Sequence, residues 1–209
     1  FKRLREIVRP GDYDLVFVQR ECFMLGTSVF EKFFSKKAKL IFDFDDAIWL
    51  PNVSKANKKF AFLKNPRKTK DILKHASLVF AGNQYLANYA KEFCDNVEVI
   101  PTTIDTKRHH KRIKEHKKKD QLTIGWTGTN TTLKYLNLIQ PALKALSRNY
   151  NFQLRVICDK PPTLDLENVK FVPWQLNSEI IDLLEFDIGI MPLTENKWSE
   201  GKYGFKILQ

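Results

Sequence analysis

Eight short β-rich runs recur along the 209 residues, and most are followed by a polar turn and a stretch whose apolar residues keep helical spacing. This alternation is the pattern of βα units in a parallel sheet and excludes most other architectures. The runs are DLVFVQ (14–19), KLIFDF (39–44), LVFAG (78–82), VEVIP (97–101), LTIGWTG (122–128), FQLRVIC (152–158), VKFVP (169–173) and DIGIMPL (187–193). Several are apolar on successive residues, as strands covered by helices on both faces require. Helices are predicted over 1–9, 22–35, 66–76, 84–93, 130–148 and 176–185, the last with Asn177 or Ser178 as N-cap. The expected class is α/β, doubly wound.

One segment interrupts the alternation. Thr106–Asp120, TKRHHKRIKEHKKKD, holds eight Lys/Arg, three of the four histidines and a single apolar residue, Ile113. Like charges at that density predict an exposed, extended linker dividing the chain into two α/β lobes of four strands each. Docking to an anionic membrane surface is the functional alternative to a plain tether, at roughly 1 kcal/mol per basic residue near the surface. Three histidines among eight like-charged Lys/Arg, without cysteines, do not suit a metal, so no metal site is expected.

Composition narrows the setting. A 43% hydrophobic content supports a buried core, and a net charge of +11 points to an anionic partner. Cys22, Cys94 and Cys158 are odd in number and far apart, which fits neither a disulfide framework nor a zinc site and suggests a reducing cytoplasm. No apolar run approaches the ~20 residues that cross a bilayer, and the N-terminus lacks a signal-peptide core. The start at Phe1 and the end at Gln209, within an opening helix, lead us to expect a fragment cut at both ends.

Three constellations carry chemistry. In LIFDFDDAIW a strand ends in Asp43, Asp45 and Asp46, where carboxylates can reach a ligand beyond the carboxyl ends of a parallel sheet or can cap nearby helices. Strand alternation puts Asp43 and Asp45 on one side and Asp46 on the other. In IGWTGTNTTLKYL (124–136), Gly125 and Gly128 flank a turn that opens a helix, with Thr129, Asn130, Thr131, Thr132 and Lys134 available to an anion. It is not a Walker loop, since no Gly-Lys-Ser/Thr follows. In DIGIMPLTENKWSEGKYGFKILQ (187–209) an exposed loop with Trp198, Glu200 and Gly201 leads to a helix opening near Gly204. Lys202 and Lys206 lie in its first turn, opposing the helix dipole unless an anion sits there.

The first string is similar to the opening motif of haloacid-dehalogenase phosphatases. That resemblance implies Asp43 as nucleophile, Asp45 as general acid/base and Mg²⁺ bridging substrate phosphate. Ala47 stands where those enzymes usually carry Thr, and no late strand ends in an acidic pair.

The second and third constellations together, in this order, resemble retaining nucleotide-sugar glycosyltransferases of the GT-B fold, family four. ASLVFAGNQYLANYAKEF with VEVIPTTID looks like the end of the acceptor lobe, and LTIGWTGTNTTLKYLNLIQPALKAL like the start of the donor lobe. VKFVPWQLNSEIIDLLEFDIGIMPL is similar to the segment before the donor site, and EGKYGFKILQ to the start of the donor-binding helix. The resemblance implies residues 1–105 as a partial N-terminal acceptor lobe, 106–120 as the linker and 121–209 as a partial C-terminal donor lobe, with substrates in the cleft between lobes.

Carried over by position, Gly128, Thr129, Asn130 and Lys134 would meet the donor diphosphate, with Thr129 in place of the usual arginine and Lys202 and Lys206 making up the charge. Pro173 and Trp174, in the segment from Phe171, would pass the nucleotide base. Glu200, Gly201, Gly204 and Gln209 would hold sugar and ribose. Glu200 is one residue out of register with the family's paired glutamates, and Gln209 replaces the second. Asp45 or Asp46 would face the reacting sugar, and Lys206 would stabilise the departing diphosphate without an obligatory metal. No cofactor is implied. The partners implied are a nucleotide-sugar donor and a glycan or lipid-linked acceptor, in cell-surface polysaccharide or glycolipid synthesis at the inner face of the cell membrane. A basic nucleic-acid-binding protein using 107–119 is the non-enzyme rival, but neither a zinc-finger pattern nor an RNP-like aromatic strand supports it.

Overall fold

A computed structural model describes residues 13–23, 26–50, 65–115 and 120–209. The helix predicted over 1–9 lies outside the described residues. The chain forms two compact units: residues up to Thr102 together with Glu195–Tyr203, and Thr103–Thr194 together with Gly204–Gln209. Each has a four-stranded, all-parallel sheet with helices interleaved in sequence, so both are Rossmann-like α/β units.

In the first unit the order is β1 (Leu15–Gln19), β2 (Lys39–Phe44), β3 (Leu78–Ala81), β4 (Val97–Val99), in register Phe17↔Ile41, Phe42↔Val79 and Phe80↔Glu98. One face buries Leu40, Phe42, Phe44, Val79 and Ala81 against α2 (Lys68–Leu73) and α3 (Gln84–Lys91), using Ile72, Leu73, Leu86, Ala87 and Ala90. The opposite face is less covered, and Phe17 is 53% exposed. The strand order advances in one direction, so right-handed crossovers place the connecting helices on one side. Coverage of both faces, expected from the sequence, is not found here among the described residues.

α1 (Val29–Ser35) starts later than the predicted 22–35, because Gly26 takes a left-handed backbone (φ 77) and the chain turns before the helix opens.

The second unit has the order β7 (Val169–Pro173), β6 (Phe152–Cys158), β5 (Leu122–Thr127), β8 (Ile188–Gly189). Successive strands first advance away from β5, and the chain then returns to add β8 on its other side. Ile124, Trp126, Leu154, Val156 and Cys158 pack with Leu136 and Leu143 of α4 (Leu133–Leu138) and α5 (Gln140–Ser147). Gly125 and Arg155 meet the other side, where Arg155 Nη2 donates to Asp182 Oδ1 (2.8 Å) of α6 (Glu179–Leu184). A Cβ on Gly125 would stand 1.9 Å from the Phe186 ring, so only glycine admits that ring. This sheet is doubly wound, which explains why every residue of β6 except Gln153 is buried.

The single helix predicted over 130–148 is two helices. Ile139 (φ −96, ψ 1) breaks it, and Pro141, with no N–H to donate, starts the second. The predicted N-cap Ser178 holds its position before α6 without a side-chain bond. The loop predicted around Trp198 contains one helical turn, α7 (Lys197–Glu200), capped by Asn196 Oδ1, which accepts from Ser199 N at 2.9 Å. α8 (Phe205–Leu208) follows Gly204. Among the described residues no helix is long and apolar enough to cross a membrane.

Candidate functional site

In the second unit the sheet reverses its winding between β5 and β8. Ligands of open α/β sheets gather at such switch points, outside the carboxyl ends of the strands. Gly128 follows β5 there. A Cβ on it would lie 2.5 Å from the Trp126 ring and 2.7 Å from Thr132 Oγ1, so the loop can close against the indole only as glycine. Lys206 Nζ stands 5.0 Å from the centroid of that same ring. Trp126 therefore brings Gly128 and Lys206 to one place, although they are far apart in sequence. A neighbouring cavity of about 430 Å³ has apolar walls that include Ile180 and Leu183, with Arg112, Lys206 and Gln209 also lining it.

The loop after Gly128 satisfies much of its own hydrogen bonding. Thr129 N donates to Thr132 Oγ1 (3.1 Å), Thr132 Oγ1 donates to the Thr129 carbonyl (2.9 Å), and Thr129 Oγ1 meets Thr131 Oγ1 at 2.9 Å. Asn130 N donates to Asp159 Oδ1 at 2.6 Å. Desolvation would raise the Asp159 pKa, but the Asn130 N–H, the Cys158 thiol and Lys160 outweigh it and hold the carboxyl below its ordinary value. Asp159 was missed in the sequence, although its place directly after β6 is where ligand-facing residues collect.

The other expected donor residues have the following neighbours. Lys134 Nζ lies 4.9 Å over the Tyr135 ring. Pro173 ends edge strand β7, two strands and so about 10 Å from β5. The Trp174 indole N–H donates to Glu179 Oε1 (3.1 Å). Gly204, where a Cβ would meet Ile207 at 3.0 Å, precedes α8, which carries Lys206 and leads to Gln209.

The expectation that Lys202 and Lys206 share a helix's first turn needs correction. α8 is one turn long, too short for much of a dipole, and the lysines part before it. Glu200, Gly201 and Lys202 belong to the first unit, Gly204 and Lys206 to the second. The basic segment is likewise not free throughout. Lys114 Nζ donates to Asp187 Oδ1 (2.6 Å) and the Phe186 carbonyl (2.8 Å), and His109 Nε2 lies 3.4 Å from Glu179 Oε2, because the acidic surroundings of α6 complement its charge.

In the first unit the carboxyl ends of β1 and β2 gather a second polar group. Asp46 accepts from Lys202 Nζ (2.9 Å) and pairs with Arg20 Nη2 (3.3 Å). Burial raises the Asp43 pKa, the nearby Asp45 carboxylate raises it further, and a bond from Gln19 opposes both. Asp45 itself packs beside Gly82, whose hypothetical Cβ would be 3.1 Å from the Asp45 Cα. Gly201 lies flush on Ala47, where a Cβ would come within 2.6 Å of the alanine methyl. The Glu200 carbonyl accepts from Asn83 Nδ2 (3.1 Å). No group of three or more metal-ligating side chains occurs among the described residues.

Fold and site together define a Rossmann-like α/β protein whose second unit carries a cation at its topological switch point. No family model and no curated protein matches the sequence. Among solved structures the chain is similar to the Glycosylation Associate Protein (Gap123) complex from Streptococcus agalactiae, with a TM-score of 0.44 and 14% identity. The match covers 91% of this chain and 41% of that one, so the chain spans less than half the length of the structure it resembles.

Proposed function

We propose that the chain is part of a retaining glycosyltransferase whose second unit binds a nucleoside diphosphate sugar. The observation that carries this reading is the Trp126 indole, which seats Gly128 against its edge and Lys206 over its face where β5 and β8 diverge. A backbone loop without a Cβ lets a phosphate approach closely, and the ammonium supplies charge that a departing diphosphate needs. The basic, partly apolar cavity beside it suits the remainder of a nucleotide. The sequence resemblance to GT-B family four supports the same assignment, with transfer to the hydroxyl of a glycan or lipid-linked acceptor at the inner face of the cell membrane. In this reading no metal is obligatory. Asp45, with no cationic partner among the described residues, is the carboxylate able to take the acceptor proton, since Asp46 is neutralised by Arg20 and Lys202.

Calorimetric titration of the chain with UDP, GDP, ADP and their sugars, each in EDTA and again in Mg²⁺, tests the proposal. Saturable, metal-independent binding of one nucleotide is expected, weakened ~10-fold or more by Lys206→Ala, as loss of a charged hydrogen bond implies. In the full-length enzyme the same substitution should cut turnover ~10²-fold. Nucleotide binding that ignores Lys206 would overturn the assignment.

A further inference from the structure

Arg20 is the one non-glycine residue with positive φ (64) among the described residues, and it sits directly after β1. An L-residue adopts that backbone only where its surroundings impose it, and such residues concentrate at functional sites. The impositions are visible. Arg20 N donates to the Asp43 carbonyl at 2.7 Å. The next residues are anchored from beneath by two fully buried charges: Glu31 Oε1 accepts from Cys22 N (2.9 Å), and Lys68 Nζ donates to the Phe23 carbonyl. Burying a carboxylate and an ammonium is costly, and both groups hydrogen-bond the backbone of this loop, with Lys68 Nζ also 3.9 Å from Glu21 Oε2.

The loop delivers the Arg20 guanidinium to Asp46, where Lys202 arrives from the other end of the sequence. Lys202 is held a second time by the Trp198 ring, 5.4 Å away. Two cations thus converge on Asp46, so this trio carries one net positive charge, with Asp43 and Asp45 nearby at the end of β2. The guanidinium remains 49% exposed, and of its five N–H donors only the Nη2 group engages Asp46. Asp45 packs beside Gly82, which directly follows β3.

We infer that Arg20 and Lys202 form a phosphate-binding site in the first unit, with Asp46 as the residue that positions both. A phosphate monoester fits a planar fork beside a point charge, the fork giving direction and the ammonium added attraction. The site stands on its own geometry. That its phosphate is carried by the acceptor rests on the glycosyltransferase reading.

The test is calorimetric titration of the chain with inorganic phosphate, n-butyl phosphate and UDP, using wild type, Arg20→Gly, Lys202→Ala and Lys206→Ala. Arg20→Gly removes the guanidinium while suiting the left-handed backbone, so its melting temperature should stay within about 3 °C of wild type. Butyl phosphate should bind the wild type and Lys206→Ala alike and weaken ~10-fold or more in Arg20→Gly and Lys202→Ala. Equal affinity of inorganic phosphate would assign the site to free phosphate, and preference for the ester would assign it to a substrate. Either keeps the site. Butyl phosphate binding unchanged in Arg20→Gly, absent from wild type, or lost only in Lys206→Ala would overturn it. UDP bound through Lys206 in that case would leave the donor reading standing. Phosphate bound through Arg20 without any nucleotide binding would instead refute the donor reading alone.

Discussion

At the scale of single residues, aromatic packing and missing side chains set the properties that can be measured. Tyr89 stacks on Trp49 with ring centroids 3.8 Å apart and takes the edge of Phe93 at 5.3 Å. Burial, then the carboxylates of Glu92 and Asp71, push its phenol up to about 12. An unfolded chain releases that proton near pH 10, so above pH 10 the folded state holds more protons than the unfolded one. The stability Tyr89 contributes is therefore complete below pH 10 and is lost as pH rises toward 12. Absorbance at 295 nm should show a late-titrating phenol, and Tyr89→Phe should lose less stability to urea between pH 10 and 12 than wild type. Gly128→Ala is a different kind of change, since its methyl would enter the space of the Trp126 ring and Thr132. A cost of about 1–3 kcal/mol is expected, seen as a lowered melting temperature with an altered tryptophan emission.

At the scale of elements, caps and breaks decide where helices begin and what they hold. Asn83 has two tasks: Oδ1 accepts from Leu86 N at 2.9 Å and caps α3, while Nδ2 donates to the Glu200 carbonyl. Asn83→Ala removes both and should destabilise by about 1–2 kcal/mol. Asn83→Ser restores a capping oxygen but not the donor that reaches Glu200. Urea unfolding should therefore place the serine variant between alanine and wild type, while amide exchange in 195–203 rises equally in both. If serine also protects 195–203, the Asn83–Glu200 bond contributes nothing to that segment. The split of the 130–148 helix at Ile139 belongs here too. Pro141 was present in the sequence as a break signal, but continuous apolar spacing on both sides masked it.

At the scale of the whole molecule, two sheets have two separate cores, and the chain passes between the units after Thr102, after Thr194 and after Tyr203. If the donor nucleotide binds as proposed, exchange protection should appear at 122–134 and 204–209 and not in α2 or α3. At a hundredfold excess over Kd the ligand should add ~2.7 kcal/mol to the stability of the unit that binds it. Protection centred on α2 or α3 would count against that placement. All eight strands and the α/β class were legible in the sequence. Strand identity depends on local composition, and the parallel order follows from the helices between strands. The sites were legible only as separate pieces. Lys202 and Lys206 are four residues apart, yet the crossing after Tyr203 sends them to different units. Arg20, Asp46 and Lys202 meet across a separation of 156 residues between the last two. Side-chain periodicity reports which face a residue shares with its near neighbours and carries no record of such meetings. What the sequence by itself determined was thus the repertoire of strands, turns and charges. Which charges come together was decided by the tertiary structure, because long-range pairing depends on strand order and on where the chain crosses between units.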